Sequence, residues 1–327
     1  MKRLLVAISF GLTLGIVAVA AVLGWARSEF TAAGPLDEAT TVRISQGAGV
    51  DAIARELAES GVIRRRWLFI AGARATGRAR QLKAGEFAFP ARVSPQGALD
   101  IIVGGKTVAR KVTIPEGVTS REAVARVRDA EGLTGLIDTI PPDGSLLPET
   151  YQYHWGDTRR ALLDRMQTAM DARLAELWPN REPGLPFDSK HEAVTLASIV
   201  ETETAVPDER ALVAGVFINR LEQGMRLQSD PTVRYAVRRD GGDASGRITQ
   251  AQLGIDDPYN TYKHGGLPPG PIANPGAAAI RAVLHPAETD YLYFVADGSG
   301  GHAFAETLEE HNENVAEWRA QGDGAAQ

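Results

Sequence analysis

The longest apolar run stands at the N-terminus. After Lys2 and Arg3, residues 4–26 read LLVAISFGLTLGIVAVAAVLGWA without a single charge. At ~1.5 Å per helical residue such a stretch crosses a hydrocarbon core of ~30 Å, which predicts a transmembrane anchor. A cleavable signal peptide is the rival, because Ala18-Val19-Ala20 has a small-x-small pattern, but signal cores run only ~7–15 residues. Lys2 and Arg3 assign residues 1–3 to the cytoplasm and everything after the anchor to the other side. Residues 27–40 are polar, include Gly34-Pro35, and predict a linker.

A small module follows over 41–107. Val42 and Ile44 alternate with polar neighbours as in a short strand. Val50, Ile53, Ala54, Leu57 and Ala58 have the spacing of an amphipathic helix, stopped by Gly61. A second helix over about 65–76 carries Trp67, Leu68, Ile70 and Ala71. The strand-like LKAGEFAF comes next, then a short helix over about 96–103 ending at Gly104-Gly105. This β-α-α-β unit resembles a LysM-like carbohydrate-binding module in order and size, and a small packing or spacer domain fits the pattern equally well.

A larger mixed α/β unit is expected over 108–320, with a flexible tail at 321–327, so the fold class is α+β. KVTIPEG (111–117) reads as a strand entering a turn. Thr119 and Glu122 form a capping box for a helix ending at Glu131-Gly132. SLLPETYQYHWGD (145–157) reads as a loop with clustered aromatics. A long helix runs from about Thr158 to Leu177, and a further helix, ALVAGVFINRL, follows Arg210. No internal repeat is visible.

Between the last two lies LASIVETET, an apolar segment ending in Glu201 and Glu203. On a helix of ~100° per residue, 193, 194, 196, 197, 199 and 200 form one broad apolar face. The two acids fall on opposite shoulders of it and do not face each other, so they are not a cooperating pair. A carboxyl held against apolar neighbours has a raised pKa and becomes a proton donor near neutral pH. Helix-end ion pairs with Arg210, Arg220 or Arg226 are the plain alternative. The wheel leaves open which acid, if either, is catalytic.

Composition narrows the classes. Of 327 residues, 44% are hydrophobic and 23% charged, as in ordinary globular proteins. A net charge of −6 argues against nucleic acid as a partner. There is no cysteine, hence no disulfide, thiolate nucleophile or cysteine-ligated metal. The six histidines are scattered without metal-site spacing, so neither metal nor cofactor is expected.

The run ASIVETETAVPDERALVAGVFINRLEQGMRLQSDPTVRYAV resembles the YceG-like family of endolytic murein transglycosylases (MltG). So do YNTYKHGGLPPGPIANPG (259–276), AVLHPAETDYLYFVADGSGGHAF (282–304), His311-Asn312 and, upstream, LLPETYQY. The resemblance covers about 108–316, and a single membrane helix with a LysM-like module agrees with it. It implies lytic cleavage of the β-1,4 bond between N-acetylmuramic acid and N-acetylglucosamine within glycan strands, leaving 1,6-anhydro ends by means of one carboxyl. Glu201, closing the ASIVE segment, is the catalytic residue it implies, with Glu203 in support. Candidate substrate-binding residues are Glu203, Asn219, Gln228, Asp230, Tyr259, Asn260, Thr261, Tyr262, Glu149 and Tyr151. Thr202 stands where the family often has lysine. The partners implied are peptidoglycan glycan strands and a cell-wall synthase complex, at the inner membrane with the catalytic domain periplasmic or extracytoplasmic. Two other readings remain: a non-catalytic peptidoglycan-binding scaffold, and a lysozyme-type hydrolase with Glu149 or Asp230 as second acid.

Overall fold

The computed structural model describes residues 2–324. Two compact units divide the chain: the first holds the residues up to Arg110 with returns at 131–134 and 152–157, and the second holds 111–130, 135–151 and the chain from Thr158 onward.

The first unit opens with α1 (Lys2–Thr31), which includes a candidate membrane span, Ile8–Thr31, of mean hydropathy 2.1. The helix continues into the expected linker, because Arg27 to Thr31 contains no Gly or Pro to stop it. Then come β1 (Thr40–Ile44), α2 (Val50–Glu59), α3 (Arg66–Ala75), β2 (Gly85–Phe89) and α4 (Pro95–Gly104). β1 and β2 pair antiparallel, Thr40 opposite Phe89 and Ile44 opposite Gly85. The period-2 pattern turns Val42, Ile44, Phe87 and Phe89 inward, where Ile53, Leu57, Phe69, Leu99 and Ile102 close the core. The β-α-α-β order read from the sequence is therefore present.

β3 (Ala109–Thr113) runs across the division and leads, in the second unit, to α5 (Ser120–Asp129), whose Thr119–Glu122 capping box forms as expected. Where a loop was expected, β4 (Thr150–His154) pairs with β3. Pro148 and Gly156 disguise a strand whose alternating Tyr151 and Tyr153 suit a pleated surface, and its partner lies far away in sequence. Next are α6 (Arg159–Leu177), α7 (Lys190–Glu203), α8 (Arg210–Glu222), α9 (Asp230–Arg239), α10 (Gln250–Leu253) and α11 (Ala277–Leu284). The hairpin β5 (Tyr293–Ala296) and β6 (His302–Ala305) and the helix α12 (Leu308–Gly324) complete the chain. The expected tail is thus helical through Gly324; residues 325–327 lie outside the described residues, as does Met1.

α7 is the centre of this unit. A capping box between Ser189 and Glu192 starts it, every residue from Ala193 to Val200 is buried, and α8 and α11 pack against it. Ser198 ties a loop to the helix: its Oγ accepts from the Ile272 N–H at 3.0 Å and donates to the Thr195 carbonyl at 2.7 Å. The last turn of α7, Glu201-Thr202-Glu203, therefore stands on a rigid support.

Candidate active site

The two acids that close α7 turn to different surroundings. Glu201 has a side chain only 4% exposed. The Gly276 N–H donates to its Oε2 at 2.8 Å, and Arg210 Nη2 lies 3.4 Å from its Oε1. The same guanidinium stands 3.5 Å from Glu116. Burial raises the Glu201 pKa and the nearby Glu116 charge adds to the rise, while Gly276 and Arg210 oppose it. Glycine at 276 leaves room for the Glu116 carboxylate: a Cβ there would lie 1.8 Å from Glu116 Oε1 and would push that side chain aside. Glu201 is thus enclosed by an ion-pair cluster.

Glu203 instead borders a groove of 560 Å³ shared with Gln228, Asp230, Tyr262, Arg220 and His302. Ser229, buried at the N-cap position of α9, makes no side-chain cap to its own helix; its hydroxyl donates to Glu203 Oε1 at 2.5 Å. Desolvation pushes the Glu203 carboxyl up to about 7 and the Asp230 charge adds to the rise, against the Ser229 hydrogen bond and the more distant His302 and Arg220. A carboxyl in that range is protonated in a substantial fraction near neutral pH and can act as an acid and then a base.

The groove walls are firmly held. Tyr262 donates its hydroxyl hydrogen to Asp230 Oδ1 at 2.7 Å. His302 is gripped twice by Glu209, which accepts from its backbone N–H at 2.8 Å and meets its Nδ1 at 2.7 Å. Arg220 donates to the Leu292 and Leu227 carbonyls, at 2.6 and 2.7 Å, fixing the chain on both sides of the groove. Gln228 carries φ = +51°, an uncommon conformation for a residue other than glycine, at the groove edge.

The structure thus brings together Glu203, Gln228, Asp230 and Tyr262 among the residues singled out in the sequence. It places the others elsewhere. Asn219 donates to the Thr289 and Tyr291 carbonyls at 2.7 and 3.0 Å. Asn260 is fully buried, donating to the Leu253 and Ile255 carbonyls and accepting from the Tyr262 N–H. Thr261 is buried too; its Oγ accepts from the Ser229 N–H at 3.0 Å and meets Thr232 Oγ at 2.8 Å. Both side chains are engaged inside the fold, and Thr261 acts on the groove through Ser229. Tyr259 packs on Tyr235, with centroids 4.8 Å apart, beside a different recess. Glu149 and Tyr151 line neither space, and the Tyr151 hydroxyl donates to the Leu147 carbonyl. Sequence reasoning passed over Ser229 and considered Arg220 only as an ion-pair partner for the two acids, although both sit inside the quoted motif.

The YceG-like family model matches residues 42–317. This chain belongs to the YceG-like family. Among its relatives, the endolytic murein transglycosylase of Bacillus subtilis (strain 168) is 32% identical over 314 residues, covering 84% of this chain and 84% of that protein. The endolytic murein transglycosylase of Streptococcus pneumoniae serotype 2 is 31% identical over 322 residues, and there the match spans 85% of this chain but 58% of the relative. A crystal structure of a YceG-like protein from Listeria monocytogenes has a TM-score of 0.54 at 31% identity, covering 84% of this YceG-like chain and 98% of the other.

Proposed function

We propose that this chain is a membrane-anchored endolytic lytic transglycosylase that cleaves peptidoglycan glycan strands, and that its acid is Glu203 rather than Glu201. The observation that carries the reading is the groove itself: Glu203 opens into it with its carboxyl raised to about 7, beside Asp230, Tyr262 and Gln228. The Glu201 assignment drawn from the ASIVE segment gives way for a physical reason. That carboxyl is enclosed and spends both oxygens on Gly276 and Arg210.

In this mechanism protonated Glu203 donates its proton to the glycosidic oxygen, and the bond from that oxygen to muramyl C1 breaks with oxocarbenium-like charge at C1. The Asp230 carboxylate stabilises that positive charge. Glu203, now a carboxylate, takes the proton from the C6 hydroxyl, whose oxygen attacks C1 and closes the 1,6-anhydro ring. The proton count closes without water.

The apolar α1 supports a single-pass anchor, with the N-terminus in the cytoplasm and the Glu203 groove outside. The β-α-α-β module fits a LysM-like glycan contact, and a synthase that extends glycan strands at the same membrane is the fitting partner. A second reading rests on one observation: Asp230 shares the groove with Glu203, so a two-carboxylate hydrolase is chemically conceivable. Mass spectrometry of uncrosslinked glycan strands after incubation with the full chain in detergent separates the readings. Internal cuts with anhydro-muramyl ends are expected. Reducing ends would make the enzyme a hydrolase, and no cleavage by folded protein would leave a binding scaffold.

A further inference from the structure

The first unit holds a recess of its own, 500 Å³ in volume, between α1, α3 and α4. Its walls are apolar: Leu23, Ala26 and Phe30 from α1, Trp67 and Ala71 from α3, and Leu99 from α4. α3 admits the Phe30 ring because residue 72 is glycine; a Cβ there would lie 2.3 Å from it. Trp25 stacks on Trp67 with centroids 6.1 Å apart, yet the two rings stay 45% and 51% exposed. Arg27 is on the rim, and Arg64 and Arg66 precede Trp67 at the start of α3. Among the described residues, none of these three arginines has a side-chain hydrogen bond or ion pair. Arg65, in contrast, is bound to Glu29 at 2.8 Å.

The position of this recess along α1 says what fills it. No charge interrupts the chain between Arg3 and Arg27, a length of about 35 Å as a helix, against ~30 Å of hydrocarbon. Trp25 and Arg27 then stand at headgroup level, where tryptophan and arginine are favoured. Through its stack on Trp25, Trp67 stands at the same level, so the recess opens where acyl chains meet headgroups. Exposed apolar walls beside unpaired cations match an amphiphile with a negative head.

We propose that this recess binds one anionic phospholipid, with an acyl chain against Leu23, Phe30 and Ala71, the phosphate on Arg27, and Arg64 and Arg66 at the start of α3 adding to the attraction. The site rests on the reading that α1 spans the membrane. It would hold the first unit against the bilayer surface, and each basic residue near an anionic surface adds to that attraction.

The full chain is reconstituted in phosphatidylcholine nanodiscs with or without phosphatidylglycerol, and native mass spectrometry of the released protein counts retained lipid. Wild type is expected to retain one phosphatidylglycerol. The triple variant R27Q/R64Q/R66Q is expected to weaken retention on the order of a hundredfold. A71F, which fills the recess and leaves the arginines, is expected to lose retention while still cutting glycan in detergent. Equal retention of phosphatidylcholine and phosphatidylglycerol by wild type, or unchanged retention by the triple variant, overturns the proposal. An alkaline carbonate wash tests the anchor separately. Release of the chain from membranes overturns the anchor and the site with it, whereas a chain that stays embedded without retained phosphatidylglycerol overturns the lipid site alone.

Discussion

Ser229 donates its hydroxyl hydrogen to Glu203, joining the N-cap position of α9 to the last turn of α7. The bond favours the charged carboxylate, so it holds the Glu203 pKa below the level that burial alone would set. Ser229→Ala is therefore expected to move the alkaline limb of the pH–rate profile upward by up to about one unit. The protonated acid then persists to higher pH, while kcat falls because the less acidic carboxyl gives up its proton to the glycosidic oxygen less readily. An unshifted limb contradicts the role given to Ser229.

Glu203 also carries a stability signature. Its folded pKa of about 7 lies above the ordinary 4.5, so the folded state holds a proton that the unfolded chain releases between those values. Stability from this group is fully present below 4.5 and is lost as pH rises to 7. Glu203→Gln removes the loss. Because the shift comes from burial, we expect the variant to exceed wild type by about 1–3 kcal/mol at pH 8. At pH 4 the difference should vanish. Urea unfolding of both proteins at the two pH values gives the comparison.

Gly276→Ala should cost about 1–3 kcal/mol, because the new methyl group and the Glu116 carboxylate cannot occupy the same space. Pairing it with Glu116→Ala should recover part of that loss. A double-mutant cycle that adds without coupling would show that the two positions do not meet.

Asn260→Ala leaves the Leu253 and Ile255 carbonyls without their donor inside the fold. A loss of about 2 kcal/mol is expected, with KM for glycan unchanged in the protein that remains folded. A large rise in KM at unchanged stability would instead make Asn260 a substrate contact.

Elements built from local patterns were legible in the sequence. The N-terminal apolar helix, the β-α-α-β order and the Thr119–Glu122 capping box each depend on neighbours within a few residues. β4 was not, because its partner β3 lies about forty residues upstream and an isolated run of tyrosines carries no sign of it. The same limit governed the site. The helical wheel set Glu201 and Glu203 on opposite shoulders but could not say that Gly276 and Arg210 would close over the first. Nor could it say that Ser229 and Asp230 would open a groove beside the second. Asn260 and Thr261 look like sugar ligands in a polar motif, and only the fold shows their side chains turned inward.

The central claim is that Glu203 does the acid–base work and Glu201 holds the end of α7 in place. The direct measurement is the rate of anhydro-muramyl end formation by Glu203→Gln and Glu201→Gln, each first shown to be folded by circular dichroism. Glu203→Gln is expected to fall by at least about 10²–10⁴-fold, as loss of a general acid–base group does. Glu201→Gln, which keeps the shape and an acceptor oxygen for Gly276, should retain activity within about tenfold of wild type. Full activity in Glu203→Gln together with a dead Glu201→Gln would contradict the account.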